Sequence, residues 1–370
     1  MISRLNPAPE SHPPFLVVLP TRVRRGYTGG AELERWTGAG TGQDSAMPED
    51  WIASTTVAKN PGLPPREAEG LTRVLTPADR EGNLPMEITR DPEYFLGASH
   101  VRTQGGEIGF LAKILDASIR LHIQAHPTAA FSRQHLGSRH GKLETYVILG
   151  ARAGSEPYAL LGFREAPDRT EWRRIIAEQD LPAMHARLNR VALRPGEVWL
   201  VPGGLPHAIG EGVLMLEVME PSDWVVRCEF ERAGIVVPPA GRYMGRDLDF
   251  CLNIFDYQSY DDTAIRRKCR LEPRLLAESA AATEEELVGP AQTDCFRVHR
   301  LRLRATAPMP GTGRFRLLLV ISGAGNLRAS DTSHALRPGT RLLLPAGSAD
   351  CRIEPAPGGL EAVLCLPGTA

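Results

Sequence analysis

No C-x-x-C pair occurs in the 370 residues, and the six cysteines, Cys228, Cys251, Cys269, Cys295, Cys351 and Cys365, are scattered singly. That spacing argues against a thiolate zinc site and a disulfide framework, so the cysteines read as buried or incidental thiols. Long apolar runs are also missing. The longest early one, Phe15 to Leu19, is too short for a secretory h-region, and nothing approaches a membrane span. A cytoplasmic protein without membrane attachment is therefore expected. Nor is there an excess of one charge: 43 Lys and Arg stand against 44 Asp and Glu, a formal net charge of -1. This gives no broad basic field for nucleic acid, and any anionic ligand must be met by a local cluster of Lys and Arg.

What is present is 36 glycines and 31 prolines, many placed between short apolar runs: Glu197 to Val201, Val213 to Val218, Phe315 to Ile321 and Thr340 to Leu344. This punctuation predicts an antiparallel, mostly β architecture. Helix is the minority, expected over Arg164 to Leu188, weakly over Leu248 to Tyr257, and over the short acidic stretch Thr283 to Val288. An internal repeat says more than propensity. Arg194-Pro195-Gly196 leads through five residues to Pro202-Gly203-Gly204 and on to His207; Arg337-Pro338-Gly339 leads through five to Pro345-Ala346-Gly347 and on to Asp350. Upstream, Val147-Ile148-Leu149-Gly150 corresponds to Val320-Ile321-Ser322-Gly323, which sets Leu317 where Glu144 stands. Two related β-barrels follow, the second without ligands. The expected division is a metal-binding catalytic domain over 1–235 with a helical insertion at about 164–190, a linker with helical elements over 236–290, and a metal-free domain over 291–370. The Pro-rich segment through Pro14 is expected to be flexible.

The run Leu121-His122-Ile123-Gln124-Ala125-His126-Pro127 places two metal-capable side chains two apart. In a strand they point the same way, with Ile119, Leu121 and Ile123 facing a core and Arg120, His122, Gln124 and His126 facing something polar. Lys142 and Glu144 likewise share a face, and His207 follows a proline-glycine turn. Two imidazoles, one carboxylate and one amide oxygen form a mixed donor set that suits zinc or another divalent first-row ion. The candidate ligands are Gln124, His126, Glu144 and His207, holding one Zn2+ per chain. Lys113, flanked by apolar Leu111 and Ile114, needs an anionic partner, with Asp116 a candidate.

These residues carry a resemblance. Gly196-x5-Pro202-x-Gly204-x2-His207 resembles the second cupin motif, with Glu211 where Asn is usual. Phe110-Leu111-Ala112-Lys113-Ile114-Leu115-Asp116-Ala117, Ile123-Gln124-Ala125-His126-Pro127, Gly141-Lys142-Leu143-Glu144, Pro206-His207-Ala208 and Glu217 to Arg227 together resemble the type I phosphomannose isomerases. The resemblance implies cupin-type (jelly-roll) barrels and the same four zinc ligands. It also places Lys113, Lys142, Glu217 and Arg227 in a substrate pocket, and Trp51 resembles the tryptophan near the family's N-terminus. The family departures are His122 for a usual serine, Thr128 for a usual aspartate, and Ala233 where some relatives carry a basic residue. The implied activity is zinc-dependent interconversion of mannose 6-phosphate and fructose 6-phosphate or a close relative. Arg227 would meet an oxyanion or phosphate, and Lys142, Glu217 or His122 would serve as base or acid. A non-catalytic metal-bearing sugar-binding cupin and a bicupin iron oxygenase are the competing readings. Oligomeric state is not legible.

Overall fold

The computed structural model describes residues 12–60, 62–310, 313–348 and 350–368. Most of the Pro-rich segment expected to be flexible lies outside these residues. Among the described residues strands outweigh helices, as expected, and form three large sheets and one two-stranded hairpin. No closed barrel is traced among them. No helix is long and apolar enough to cross a membrane.

A seven-stranded sheet runs in the order Arg270–Leu271, Val198–Val201, Glu144–Ala151, Val213–Met219, Leu111–Asp116, Glu49–Ile52, Arg22–Val23. A five-stranded sheet runs Leu188–Ala192, Tyr158–Phe163, His207–Ile209, Gln124–Ala125, Val226–Arg227. The two share a core to which the first gives Leu115, Tyr146, Ile148, Trp199 and Met215 and the second Ala159, Leu161, Val191 and Ile209. On its other face the seven-stranded sheet packs Ile114, Val147, Leu216 and Val218 against Val298, Leu317, Leu343 and Val363. Those last four belong to an eleven-stranded sheet built mainly from residues 274–367. Burial on both faces explains the near-continuous apolar runs, and it makes any charged side chain in them conspicuous.

The first hundred residues divide between sheets. Leu16–Val18, Arg73–Leu75 and Glu81–Asn83 extend the eleven-stranded sheet, whereas Arg22–Val23 and Glu49–Ile52 edge the seven-stranded one. A buried ion pair of 2.6 Å between Arg341 and Asp50 ties the two sheets together.

Four expectations are corrected. Thr283 to Val288 is not helical but part of the strand Ala282–Val288, because its acidic side chains meet basic side chains on the next strand: Glu284 contacts His299, and Glu285 pairs with Arg300 and Arg302. Of the run from Ile119 to His126 only Gln124–Ala125 is strand, and Arg120 does not share the face of Gln124. Its guanidinium instead forms a bidentate, fully buried pair with Glu229, both contacts 2.7 Å. Glu229→Ala, which strands that arginine, is expected to lower the unfolding free energy by about 3–5 kcal/mol in urea titration. Asp116 is not the partner of Lys113; it accepts from the backbone N–H groups of Gly30 and Glu32 and from Arg152. Finally, Val201 pairs with Glu144 as Leu344 pairs with Arg316. The repeat is therefore offset by one upstream, and Arg316, not Leu317, occupies the place of Glu144.

Candidate metal centre

Strand alternation places the charged groups. Glu49, Lys113, Glu144 and Glu217 project from one face of the seven-stranded sheet, the face bearing Leu115, Tyr146 and Met215, while their neighbours in sequence enter the opposite core. Glu217 stands directly opposite Lys113 in the ladder, and Trp51 opposite Lys113 on the other side. From the five-stranded sheet, Gln124 is paired in register with both His207 and Arg227.

Between the sheets His126, Glu144 and His207 converge, with one ligand-type atom from each lying within 4.8 Å of the others. His126 Nε2 is 3.0 Å from Glu144 Oε1, and His207 Nε2 is 3.4 Å from Glu144 Oε2. Each imidazole has its Nδ1 against a backbone carbonyl: Trp224 O at 2.7 Å for His126 and Leu205 O at 2.8 Å for His207. A carbonyl only accepts, so both Nδ1 atoms carry hydrogen and both Nε2 atoms face the carboxylate. Burial, aided by Lys142, pushes His126 down to about 3, so it is neutral at ordinary pH. Glu144 is held well below the usual carboxylate range by the Lys142 ammonium in spite of its burial. Two imidazole Nε2 atoms and a carboxylate aimed at one buried point form a donor set for a cation, and the outward Nδ1 hydrogen bonds are those that orient metal-binding histidines. The residues fit a divalent ion.

Gln124 lies beside the same point, but its amide nitrogen faces His126 Nε2 at 3.4 Å and His207 Nε2 at 3.3 Å, while its oxygen accepts from Arg227. Its service as an oxygen ligand requires a half-turn of the amide, which takes the oxygen away from Arg227.

Two glycines let the His126 loop sit there. A Cβ on Gly141 would lie 2.5 Å from Pro127 O, and one on Gly203 would lie 2.7 Å from the same oxygen. Thr128, at a family departure, caps the helix Ala129–His135 by accepting from Phe131 N–H, a role an aspartate performs equally well.

Around the centre, Lys142 Nζ is 3.1 Å from Glu144 Oε1, and Tyr146 donates to Glu144 Oε2 at 2.6 Å. Lys113 Nζ is 2.9 Å from Glu217 Oε2 and 3.7 Å from Glu49 Oε1, so Glu217 and Glu49 answer the need for an anion that Asp116 does not. Burial and the nearby Glu144 carboxylate push Glu217 up to about 8. Glu49 is a hub missed in the sequence: it accepts from Arg25, Tyr27 and Trp51. Its signal was the i, i+2 spacing from Trp51.

A cavity of about 480 Å³ opens beside this centre, lined by Arg25, Lys59, His122, Asp223, Trp224 and Arg227 among others. Trp224 and Arg227 connect it to the centre through His126 and Gln124. His122 lies 3.1 Å from Ile235 O, so its Nε2 carries hydrogen, and burial and Arg227 lower its pKa. Of the residues expected at the site, Gln124, His126, Glu144, His207, Lys113, Lys142 and Glu217 are gathered between the sheets. His122 and Arg227 line the cavity.

A family model, mannose-6-phosphate isomerase, cupin domain, matches residues 288–356. The chain is 29% identical over 236 residues to a mannose-6-phosphate isomerase of Streptococcus mutans, covering 64% of this chain and 67% of that one. It is 25% identical over 263 residues to a mannose-6-phosphate isomerase of Bacillus subtilis, covering 68% and 73%. Its fold is similar to the crystal structure of the mannose 6-phosphate isomerase from Bacillus subtilis, with TM-score 0.70, 20% identity and coverage of 95% and 99%. A mutant phosphomannose isomerase from Salmonella typhimurium gives TM-score 0.72 at 17% identity, covering 96% and 100%.

Proposed function

We propose, for a chain related to the mannose-6-phosphate isomerases and thus an aldose–ketose isomerase of the cupin superfamily, that it interconverts mannose 6-phosphate and fructose 6-phosphate, or a closely related sugar phosphate, with one zinc ion per chain. The observation that carries this reading is the convergence of His126, Glu144 and His207, with Lys142 against Glu144 and the Lys113–Glu217 pair on the same sheet face, beside a cavity lined by Arg227. His126, Glu144, His207 and a turned Gln124 would hold the ion. When bound, zinc would supply Lewis acidity for the sugar's carbonyl and hydroxyl oxygens.

The protein's own groups do the rest. Moving a proton between C1 and C2 of an open-chain sugar needs a base at carbon and charge stabilisation at oxygen. Glu217, buried and carrying an oxygen that meets Lys113 as an ion pair but not as an aligned hydrogen bond, is the strongest candidate base. Lys113 and Lys142 hold positive charge on either side of it. Arg227, a permanent cation between centre and cavity, suits the phosphate or a developing oxyanion. We read residues 1–235 as the metal-bearing cupin unit, 236–290 as the connection and 291–370 as a metal-free cupin-like unit, together forming a two-barrel cytoplasmic enzyme. In support, the Pro-Gly repeat recurs in both units, and Arg316 puts a cation where the first unit has its carboxylate ligand.

The deciding experiment is a coupled assay for fructose 6-phosphate from mannose 6-phosphate, with zinc-loaded protein beside a chelator-treated control. Zinc-restored turnover is expected; full activity in the chelated sample, or none in either with zinc bound at one per chain, overturns the reading. Arg227→Ala should keep the metal and lose at least about tenfold in kcat/KM, the equivalent of one charged hydrogen bond of about 1.5–3 kcal/mol.

A further inference from the structure

The strand Arg274–Glu278 ends the eleven-stranded sheet and is bonded on one side only, to Ala282–Val288. All five of its residues are exposed, Leu275 by 54% and Leu276 by 38%. Nothing among the described residues covers these leucines. An edge with bare N–H and C=O groups and uncovered apolar side chains is a template for another strand.

The segment Arg-Leu-Leu-Ala-Glu complements itself when run antiparallel. A two-fold axis at Leu276 sets Arg274 against Glu278 of a second copy, Leu275 against its Ala277, and the two Leu276 residues against each other. Glu278 makes no ion pair among the described residues. Arg274 already faces Glu286 of its own hairpin at 2.9 Å, so a second copy's Glu278 would complete an alternating row of charge. Leu276 is the extra residue at a register shift between Leu275 and Ala277. Such a bulge opposes indefinite sheet growth, yet a closed two-fold contact uses only these five residues.

We propose that two copies of this chain associate through Arg274–Glu278 into an isologous dimer with a sheet continuous across the axis. The metal centre lies between the other two sheets and remains open in the dimer. Sedimentation equilibrium across the micromolar range should give twice the 40.4 kDa chain mass. Glu278→Arg, which sets arginine against arginine while leaving the Arg274–Glu286 pair in place, should return the mass to one chain with unchanged circular dichroism and turnover. Leu276→Cys should form an intermolecular disulfide under copper-phenanthroline oxidation, since directly opposed Cβ atoms lie about 4.5–5.5 Å apart; the wild-type chain should not. A wild-type monomer throughout that range overturns the proposal. So does a dimer that survives Glu278→Arg and fails to crosslink at residue 276, which would put the contact elsewhere.

Discussion

Alanine at His207 or at His126 is expected to strip the metal and to leave turnover at the level of the chelated wild-type protein. Each histidine is one of three groups whose donor atoms fall within 4.8 Å of one another, so removing one leaves two protein donors and Gln124. Changes merely in the hydrogen bonds behind such ligands weaken affinity about 10–100-fold, and loss of a ligand should exceed that. Because the ion binds only the folded chain, the thermal midpoint of the wild-type protein should fall on chelation, whereas the variants should start low and not respond. The check is metal content by mass spectrometry after dialysis, beside melting curves with and without chelator. Metal retained by both variants at one per chain would remove these residues from the ligand set.

The metal-free protein adds a pH signature with a definite sign. His126 is pushed from 6.5 down to about 3, so below pH 6.5 the unfolded chain takes up a proton that the folded chain refuses. Stability therefore falls as pH drops from about 6.5 toward 3, by at most about 1.4 kcal/mol per unit for this one group. Metal-free His126→Ala should show a shallower acid slope than the metal-free wild type. An unchanged slope would mean the imidazole is not held neutral.

What the sequence made legible was what local spacing determines. The i, i+2 spacing brought Lys142 to Glu144, although the strand begins only at Glu144, and the proline-glycine turns positioned His207, because both are properties of a few consecutive residues. It misled where the backbone departs from that local pattern. Arg120 was read onto the metal face by extending alternation through residues that are not strand, and its true partner Glu229 lies 109 positions away. Thr283 to Val288 read as helix because three adjacent glutamates suit one, and only the basic groups on the next strand make them part of a sheet. The repeat was correct around its glycines and one residue out upstream, since an offset in register leaves no mark on the turn residues that reveal the repeat. Glu49 carried only its i, i+2 spacing from Trp51; the rest of its worth lies in Arg25, Tyr27 and Lys113, brought to it by the fold.

Glu217→Gln should separate chemistry from stability, because its two effects carry opposite signs. The carboxylate is buried on the sheet face that holds Glu144, and repulsion from Glu144 together with burial raises it from 4.5 to about 8. A raised acid favours the folded state only while protonated, so the metal-free protein loses stability as pH rises from about 4.5 through 8. Glutamine keeps the shape and an acceptor for Lys113 yet never ionises. Metal-free Glu217→Gln should therefore melt higher than the metal-free wild type at pH 8, and the gap should close toward pH 4.5. With a divalent ion held by Glu144 the repulsion would be removed and the pKa of Glu217 lowered, so that its carboxylate would be ionised and could serve as the proposed base. Turnover should then fall by about 10²–10⁴-fold in the variant, the usual contribution of a positioned general base, with metal content unchanged. The rise of kcat/KM with pH on the acid side should vanish with it. If turnover survives with its acid limb intact, the base is another group, and Lys142 and His122 are the next to replace; if the variant melts lower at pH 8, the Lys113–Glu217 pair is ionised and stabilising in the metal-free chain.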